Sequence, residues 1–422
     1  MLNRTFLGVQ GLVLVCVLGI ATLVSSSGCD NITRAPRPDP AKFTYPSTVV
    51  ADPSGDWVYV VSTNFDGSNS GGTIVPIEVS TKKVVSAGAV EVGSFAGEMA
   101  LLTDADGVST KAYIAIRDDD ELIHLDLVRT DEGIAFACSE SENKGLAICD
   151  DSRRLEVTSL MKDSVPEDLQ EDTPDAGDPY AIAIGAPLPS QDDDSAQANP
   201  LYLGSLLDGA LLIFTLDSDG TPVFRKGATL APGIHSIIER QVTPRNRVLI
   251  VSNRIQAVIH IVNVTFNSDD TVDVVVDEPV RWDQVSSTGD YFRGMTLSLD
   301  GTALYCAFNS PSSLAILDFG QDGRPVPRAL VPLYGKVGYV ATYAPEPGRE
   351  LVYVTEFTSD ALSAVDPVSM LLVDRIPIGG GPYGLAIAGD MAWVANFEEG
   401  TVSVVDLDPT SANWHQEIER LK

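Results

Sequence analysis

From residue 45 to its end, the chain alternates short apolar runs with polar breaks rich in glycine, proline and aspartate. The stretch Leu351–Asp408 shows this best. VYVTEF and DALSAVD are followed by MLLVDRI, a Gly/Pro turn and YGLAIA, and the pattern restarts with AWVANF and GTVSVVDLD. The runs are short, rich in Val, Ile and aromatics, and bounded by turn residues, which is the signature of β-strands. The unit recurs 40 residues on, from Tyr353 to Trp393. A repeat of that length built from four strands predicts the blade of a β-propeller.

Aligning the chain on the second strand of this unit gives seven equivalent positions: Tyr59, Tyr113, Tyr202, Ile250, Tyr305, Tyr353 and Trp393. Six are aromatic, and the column suits a core between neighbouring blades. The third strand then ends at Glu78, Asp126, Thr215, Asn263, Asp318, Asp366 and Asp406, all polar. Asp and Asn at such ends bond the backbone of a turn. The expected fold is therefore all-β, a seven-bladed β-propeller of four-stranded antiparallel blades over residues 43–422. Closing the ring hides the strand edges that an open sheet would expose. Lys42–Tyr45 is the one N-terminal candidate for a strand shared with the last blade, and Trp414–Arg420 is the candidate fourth strand at the C-terminus.

One step breaks the rhythm. Tyr113 and Tyr202 are 89 residues apart, and residues 130–178 read as an insertion, with one helical turn over Val165–Gln170. A hidden eighth blade is the alternative, but no complete strand triplet is visible there. The insertion holds Cys138 and Cys149, a plausible disulfide in an exported protein. Cys306 lies mid-strand and reads as a buried thiol. No CxxC or CxxCH occurs, so neither a dithiol redox site nor c-type haem attachment is encoded.

Residues 1–28 read as a targeting segment: Arg4, an apolar run from Phe6 to Val24, and Ser-Ser-Ser-Gly before Cys29. This resembles a bacterial lipoprotein signal, which implies lipidation of Cys29 and a membrane partner through that lipid. Ser26 departs from the commonest pattern, which has Leu there. Residues 29–42, rich in Pro and Arg, read as a tether.

The wording VYVTEFTSDALSAVD, IPIGGGPYGLAI and WVANFEEGTVSVVD resembles the YVTN-type β-propeller repeat of bacterial and archaeal envelope proteins. Tyr353-Val354-Thr355-Glu356 carries the name motif most fully, and Trp393-Val394-Ala395-Asn396 keeps part of it. The match is clear over the last seventy or so residues and blurred elsewhere. The resemblance implies a propeller in the cell envelope. Relatives include surface-layer proteins, lactonases, quinoprotein dehydrogenase subunits and the haem domain of cytochrome d1 nitrite reductase, so it names no single activity.

A propeller offers one obvious site, the mouth of its axial channel, lined by the first strand of each blade. Aligned on Tyr383, the candidates are Pro46, Glu98, Tyr180, His235, Arg293, Tyr339 and Tyr383. Such a ring can hold a small polar or anionic ligand, with Arg293 as the partner of a carboxylate. Alternatively these side chains merely cap a water-filled channel. The first expectation is a non-catalytic binding scaffold for a small ligand or a protein. The second is a lactonase-like or dehydrogenase-like enzyme with His235 as base and Arg293 as oxyanion holder. It gains if both side chains reach one pocket.

The remaining features narrow the classes. With 59 acidic against 28 basic residues and a formal charge of −31, nucleic acid is an unsuitable partner. Loop carboxylates at Asp118, Asp119, Asp120, Asp208, Asp360, Glu398 and Glu399 predict a negative entrance. Asp104-Ala-Asp-Gly and Asp217-Ser-Asp-Gly lack the full ligand set of a calcium loop and read as hairpin turns. Gly379-Gly-Gly-Pro382 precedes a strand and lacks the Lys-Ser/Thr of a phosphate cradle. No metal site or cofactor is expected, and no Gly-x-Ser-x-Gly elbow is present.

Overall fold

The computed structural model describes residues 35–104, 106–131, 133–138, 146–171, 173–189, 198–282 and 291–422. The leader, Cys29 and the first half of the tether lie outside them, as does most of the acidic loop 191–199.

Seven antiparallel sheets follow one another along the chain, each a blade with strands in sequence order from the axis outwards. The first strands are Pro46–Ala51, Ala96–Thr103, Pro179–Ile184, Ile234–Gln241, Phe292–Leu297, Val337–Glu346 and Pro382–Ala388. The second strands are Trp57–Ser62, Ser109–Ile116, Pro200–Ser205, Asn246–Asn253, Ala303–Asn309, Arg349–Glu356 and Met391–Asn396. Successive first strands touch all the way round, and that of blade 7 touches that of blade 1. This is a closed seven-bladed β-propeller.

All four strands of blade 7 come from the C-terminal end, the outermost being Glu417–Leu421. Lys42–Tyr45 does not join it. Thr44 and Tyr45 instead accept backbone bonds from Asn64 and Thr63 of blade 1. The ring therefore closes by packing, with Trp393 and Val404 of blade 7 against Val58 and Val60 of blade 1.

The aromatic column has one environment repeated seven times. Tyr59 pairs with Val50 and Pro76, and the six equivalent residues pair in the same register. All seven are buried, and each belongs to a different hydrophobic cluster between two adjacent blades. Several hydroxyls also bridge blades. Tyr113 donates to Gly220 O at 2.6 Å, Tyr202 to Glu239 Oε2 at 2.6 Å and Tyr305 to Glu350 Oε2 at 2.8 Å. A buried Tyr finds a partner for its hydroxyl in this way while its ring fills the wall. Tyr353, His415 and Asp374 are joined in a line, Oη to Nε2 at 2.9 Å and Nδ1 to Oδ2 at 3.1 Å. Tyr353 and His415 are buried in the wall between blades 6 and 7, so this line acts as an inter-blade link.

Blades 1, 2 and 4 depart from four strands; in blade 4, Val272–Val276 and Val280–Arg281 share the outer edge. The outer edge of blade 2 is split: Gly133–Ala137 pairs with one end of the long third strand Glu121–Thr130, and Arg154–Glu156 pairs with the other. The 130–178 segment thus completes blade 2 before it departs from the repeat. Between the two pieces, Cys138 and Cys149 form a disulfide, and Ala147–Ile148 lies parallel to Val90–Glu91 on blade 1. Arg37 fastens the same region, binding Glu91 at 2.8 Å and the carbonyl of Leu146. Two short helices follow, Leu160–Asp163 and Glu167–Gln170.

Candidate active site at the axial mouth

Every blade interrupts its first strand with a β-bulge at the same level. Two residues face one on the second strand: Ser47/Thr48, Gly97/Glu98, Tyr180/Ala181, His235/Ser236, Arg293/Gly294, Gly338/Tyr339 and Tyr383/Gly384. A bulge re-aims a side chain and sharpens local twist. In blades 3, 4, 5 and 7 the first bulge position carries the large side chain. In blades 2 and 6 that position is Gly, and the second supplies Glu98 or Tyr339. The glycines follow from close approach. A Cβ on Gly97 would lie 2.7 Å from Tyr180 O, and one on Gly384 would lie 2.5 Å from Ser47 O, both on the next blade. Strict alignment on Tyr383 placed Pro46 in the ring. Pro46 is the equivalent of Pro382, one residue before the bulge, because the hairpin that follows is longer in blade 1 than in blade 7, and Ser47 takes the Tyr383 position at the mouth.

The bulged side chains of six blades meet in one network. Tyr180 Oη lies 3.1 Å from Tyr339 Oη and 3.2 Å from Tyr383 Oη. Tyr339 donates to Glu98 Oε1 at 3.1 Å, across the axis from blade 6 to blade 2, and Ile182 N reaches Glu98 Oε2 at 3.4 Å. On the other side, His235 Nε2 lies 3.2 Å from Tyr383 Oη, and Arg293 Nη1 donates to the same oxygen at 3.0 Å. The Tyr180 and His235 rings are in contact, with centroids 4.7 Å apart. Six of the seven predicted ring residues, all but Pro46, are thus joined, and His235 and Arg293 converge on a single atom.

Burial sets the protonation of this network. Glu98 is only half-buried by surface area, yet the surrounding protein desolvates its carboxyl and pushes the pKa up to about 8. Bonds from Tyr339 and Ile182 oppose that only in part. Glu98 is therefore a neutral acid at pH 7. His235 is wholly buried, and desolvation, then the positive charges of Arg293, Arg254 and Arg117, push it well below its ordinary value. Its imidazole is neutral, with Nδ1 lacking a protein partner. Desolvation likewise raises the Tyr180 and Tyr339 phenols, so they act as neutral hydrogen-bonding groups.

Above the network opens a cavity of about 320 Å³. Tyr180, Tyr383 and Arg293 form part of its lining, together with Arg117, Arg254 and Lys336 and the rings of Phe65, Phe95, Phe357 and Phe397. Among the described residues, the lining holds four cations and no carboxylate. The cavity wall itself is therefore cationic, and the loop carboxylates named above are not among its lining residues. Three of the loop carboxylates have partners of their own: Asp120 accepts from Asp178 N, Asp360 from Gly381 N, and Glu399 from Gly380 N and Arg420. Asp178 in turn takes Arg117 Nε at 2.5 Å. The two Asp-x-Asp-Gly stretches are turns. Asp104 and Asp217 each accept backbone N–H groups two and four residues on.

Sequence alignment missed most of the upper wall, although a second column carries it. The residue four places after each member of the aromatic column is Thr63, Arg117, Leu206, Arg254, Asn309, Phe357 or Phe397. All but Leu206 line the cavity. Each stands where its second strand ends at the mouth, so the period that located the core also locates this wall. Among the described residues no cluster of His, Cys, Asp or Glu is arranged to hold a metal.

No family model and no curated protein matches the chain. Solved structures do match in fold. The periplasmic gluconolactonase of Pseudomonas aeruginosa superimposes with a TM-score of 0.57 at 14% identity, covering 86% of this chain and 96% of its own. Hydrazine synthase of Kuenenia stuttgartiensis gives 0.54 at 15% identity, covering 92% and 100%. A protein of unknown function from Desulfotomaculum acetoxidans gives 0.52 at 10% identity, covering 83% and 92%. Identities this low establish the shared seven-bladed architecture, and the chemistry must be argued from the site.

Proposed function

We propose that this chain is a hydrolase of small lactones whose reaction takes place at the Tyr383 hydroxyl. The observation that carries this reading is the meeting of a neutral imidazole and a guanidinium on one phenol oxygen at the floor of a cationic cavity. Water adds to the ester carbonyl carbon. Its proton passes to Tyr383 Oη as the phenol proton passes to His235 Nε2. The Arg293 charge beside them stabilises the developing oxyanion. Collapse breaks the ring C–O bond, and the leaving alkoxide recovers the proton along the same path. The product is a hydroxy acid, whose carboxylate stays at Arg293 and Tyr383 while its other oxygens face Arg254 and Lys336. Among the described residues, neither of these is paired with a carboxylate. That a propeller of the same architecture is a gluconolactonase is compatible with this chemistry.

A second reading is a non-catalytic binding scaffold, favoured by the complete burial of His235. The two readings differ in turnover. Acid release from D-glucono-δ-lactone and from aryl-substituted γ-lactones, followed at constant pH, is expected to exceed the spontaneous rate and to fall about a hundredfold in Tyr383→Phe. Release at the spontaneous rate from every lactone leaves the scaffold.

We also assign the chain to YVTN-type envelope proteins, anchored by a lipid on Cys29. The motif at Tyr353–Glu356 and the Ser-Gly-Cys junction support this. Among the described residues no helix is long and apolar enough to cross a membrane. Cys29→Ala is expected to move the protein from the membrane pellet to the soluble fraction. Retention in the pellet would count against the anchor.

A further inference from the structure

The cavity wall is divided by blade. Phe357 and Phe397 come from blades 6 and 7, Phe65 follows the second strand of blade 1, and Phe95 immediately precedes blade 2. Because blade 7 packs on blade 1, these rings form one continuous arc. Phe65 and Phe397 centroids are 5.4 Å apart, Phe65 and Phe95 5.6 Å, and Phe357 and Phe397 6.2 Å. The arc runs down to the reacting oxygen, since Phe357 and Phe397 both touch the Tyr383 ring, at 6.2 and 6.5 Å. The cations stand along the rest of the circumference: Arg117 on blade 2, Arg254 on blade 4, Arg293 on blade 5 and Lys336 just before blade 6. Phe65 is 54% exposed in an otherwise well-packed ring, a cost that an apolar ligand would remove.

From this division we infer that the substrate is a lactone bearing an apolar, preferably aromatic, substituent, and not a bare polyhydroxylated lactone. The inference rests on the lactone-hydrolase reading for the head group and on the aromatic arc for the substituent. With the carbonyl at Tyr383 and Arg293, the substituent lies over Phe397 and Phe65, while oxygens of the head group face Arg254 and Lys336. A volume near 320 Å³ is at the small end for ligand pockets, which fits a two-ring molecule better than a long acyl chain. A polyhydroxylated ring of the same size would leave hydroxyls against Phe397 without partners.

The test compares two hydroxy acids, one with a phenyl substituent and one with a hydroxylated chain, by equilibrium binding, so that it does not depend on turnover. Calorimetric titration of the full chain with 4-hydroxy-4-phenylbutanoate and with gluconate is expected to show the phenyl acid binding at least about tenfold more tightly. In Phe65→Ala and Phe397→Ala this ratio is expected to fall towards one. Phe65, at the exposed rim, is the substitution least able to disturb folding. A preference for gluconate, no measurable binding of the phenyl acid, or an unchanged ratio in both variants overturns the inference. Tight phenyl-acid binding without turnover of the corresponding lactone leaves the preference for an aromatic substituent standing and removes the hydrolase. Turnover with gluconate preferred does the reverse.

Discussion

Two sets of equivalent positions run around this ring, one in the walls between blades and one at the axis, and they behave in opposite ways. The wall column of Tyr59, Tyr113, Tyr202, Ile250, Tyr305, Tyr353 and Trp393 is nearly uniform and wholly internal. The axial set, made of the bulges and the residues that end the second strands, holds Tyr, His, Glu, Arg, Phe, Thr and Asn. The difference comes from how many problems each set solves. Seven inter-blade walls are seven copies of one packing problem, and one kind of side chain answers all of them. The axis is a single shared space, and seven identical side chains there would crowd into one another. The repeat therefore builds the scaffold, and departures from the repeat build the site.

Substitutions sharpen this contrast when they are read by stability on one side and by ligand capture on the other. The largest effect is expected at the wall. Trp393→Ala should cost about 3–5 kcal/mol in denaturant unfolding, as deletion of a large core aromatic does. A near-neutral result would place Trp393 outside the wall. Next comes the irregular edge, where removing the Cys138–Cys149 cross-link by paired Ser substitution should cost about 2–3 kcal/mol. Hydrogen exchange should rise first in Val90–Val92 and Gly133–Ala137, because Ala147–Ile148 bridges those blades. Uniform loosening of all seven blades would argue against a local staple.

The axis is probed through the pH dependence of stability. Folding raises the Glu98 pKa, so the folded chain retains a proton that the unfolded chain has released between roughly pH 4.5 and 8. This contribution is complete below the lower value and is lost as pH rises through the window. Glu98→Gln should therefore flatten the decline in Tm across that range. An identical pH profile in the variant would mean that Glu98 is ionised in the folded ring. The smallest change is Tyr305→Phe, which removes one bond to Glu350 across the wall and should cost about 1 kcal/mol. A cost as large as that of Trp393→Ala would mean that polar links, and not ring burial, hold the blades together.

Much of the scaffold was legible in the sequence because its signals are periodic. Strand alternation, the aromatic column and the polar strand ends each recur seven times, and recurrence corrects local noise. The site was legible only in part. Glu98, Tyr180, His235, Arg293, Tyr339 and Tyr383 follow from alignment on the first strand, but hairpins of unequal length between first and second strands blur that register by one residue and put Pro46 where Ser47 belongs. Arg117, Arg254, Phe357 and Phe397 were within reach of the same alignment four residues on, but their variety hid them as a column. The cations of the cavity wall were not anticipated, because Arg117, Arg254 and Lys336 stand at strand ends and loops outside the first-strand alignment.

The most direct measurement of the central claim is a crystal structure of the protein soaked with 4-hydroxy-4-phenylbutanoate. The account predicts one molecule at the axis, its carboxylate within hydrogen-bond reach of Arg293 and Tyr383 Oη and its ring against Phe397. Density for the acid on the blade edges, with the axial mouth holding solvent alone, would contradict it.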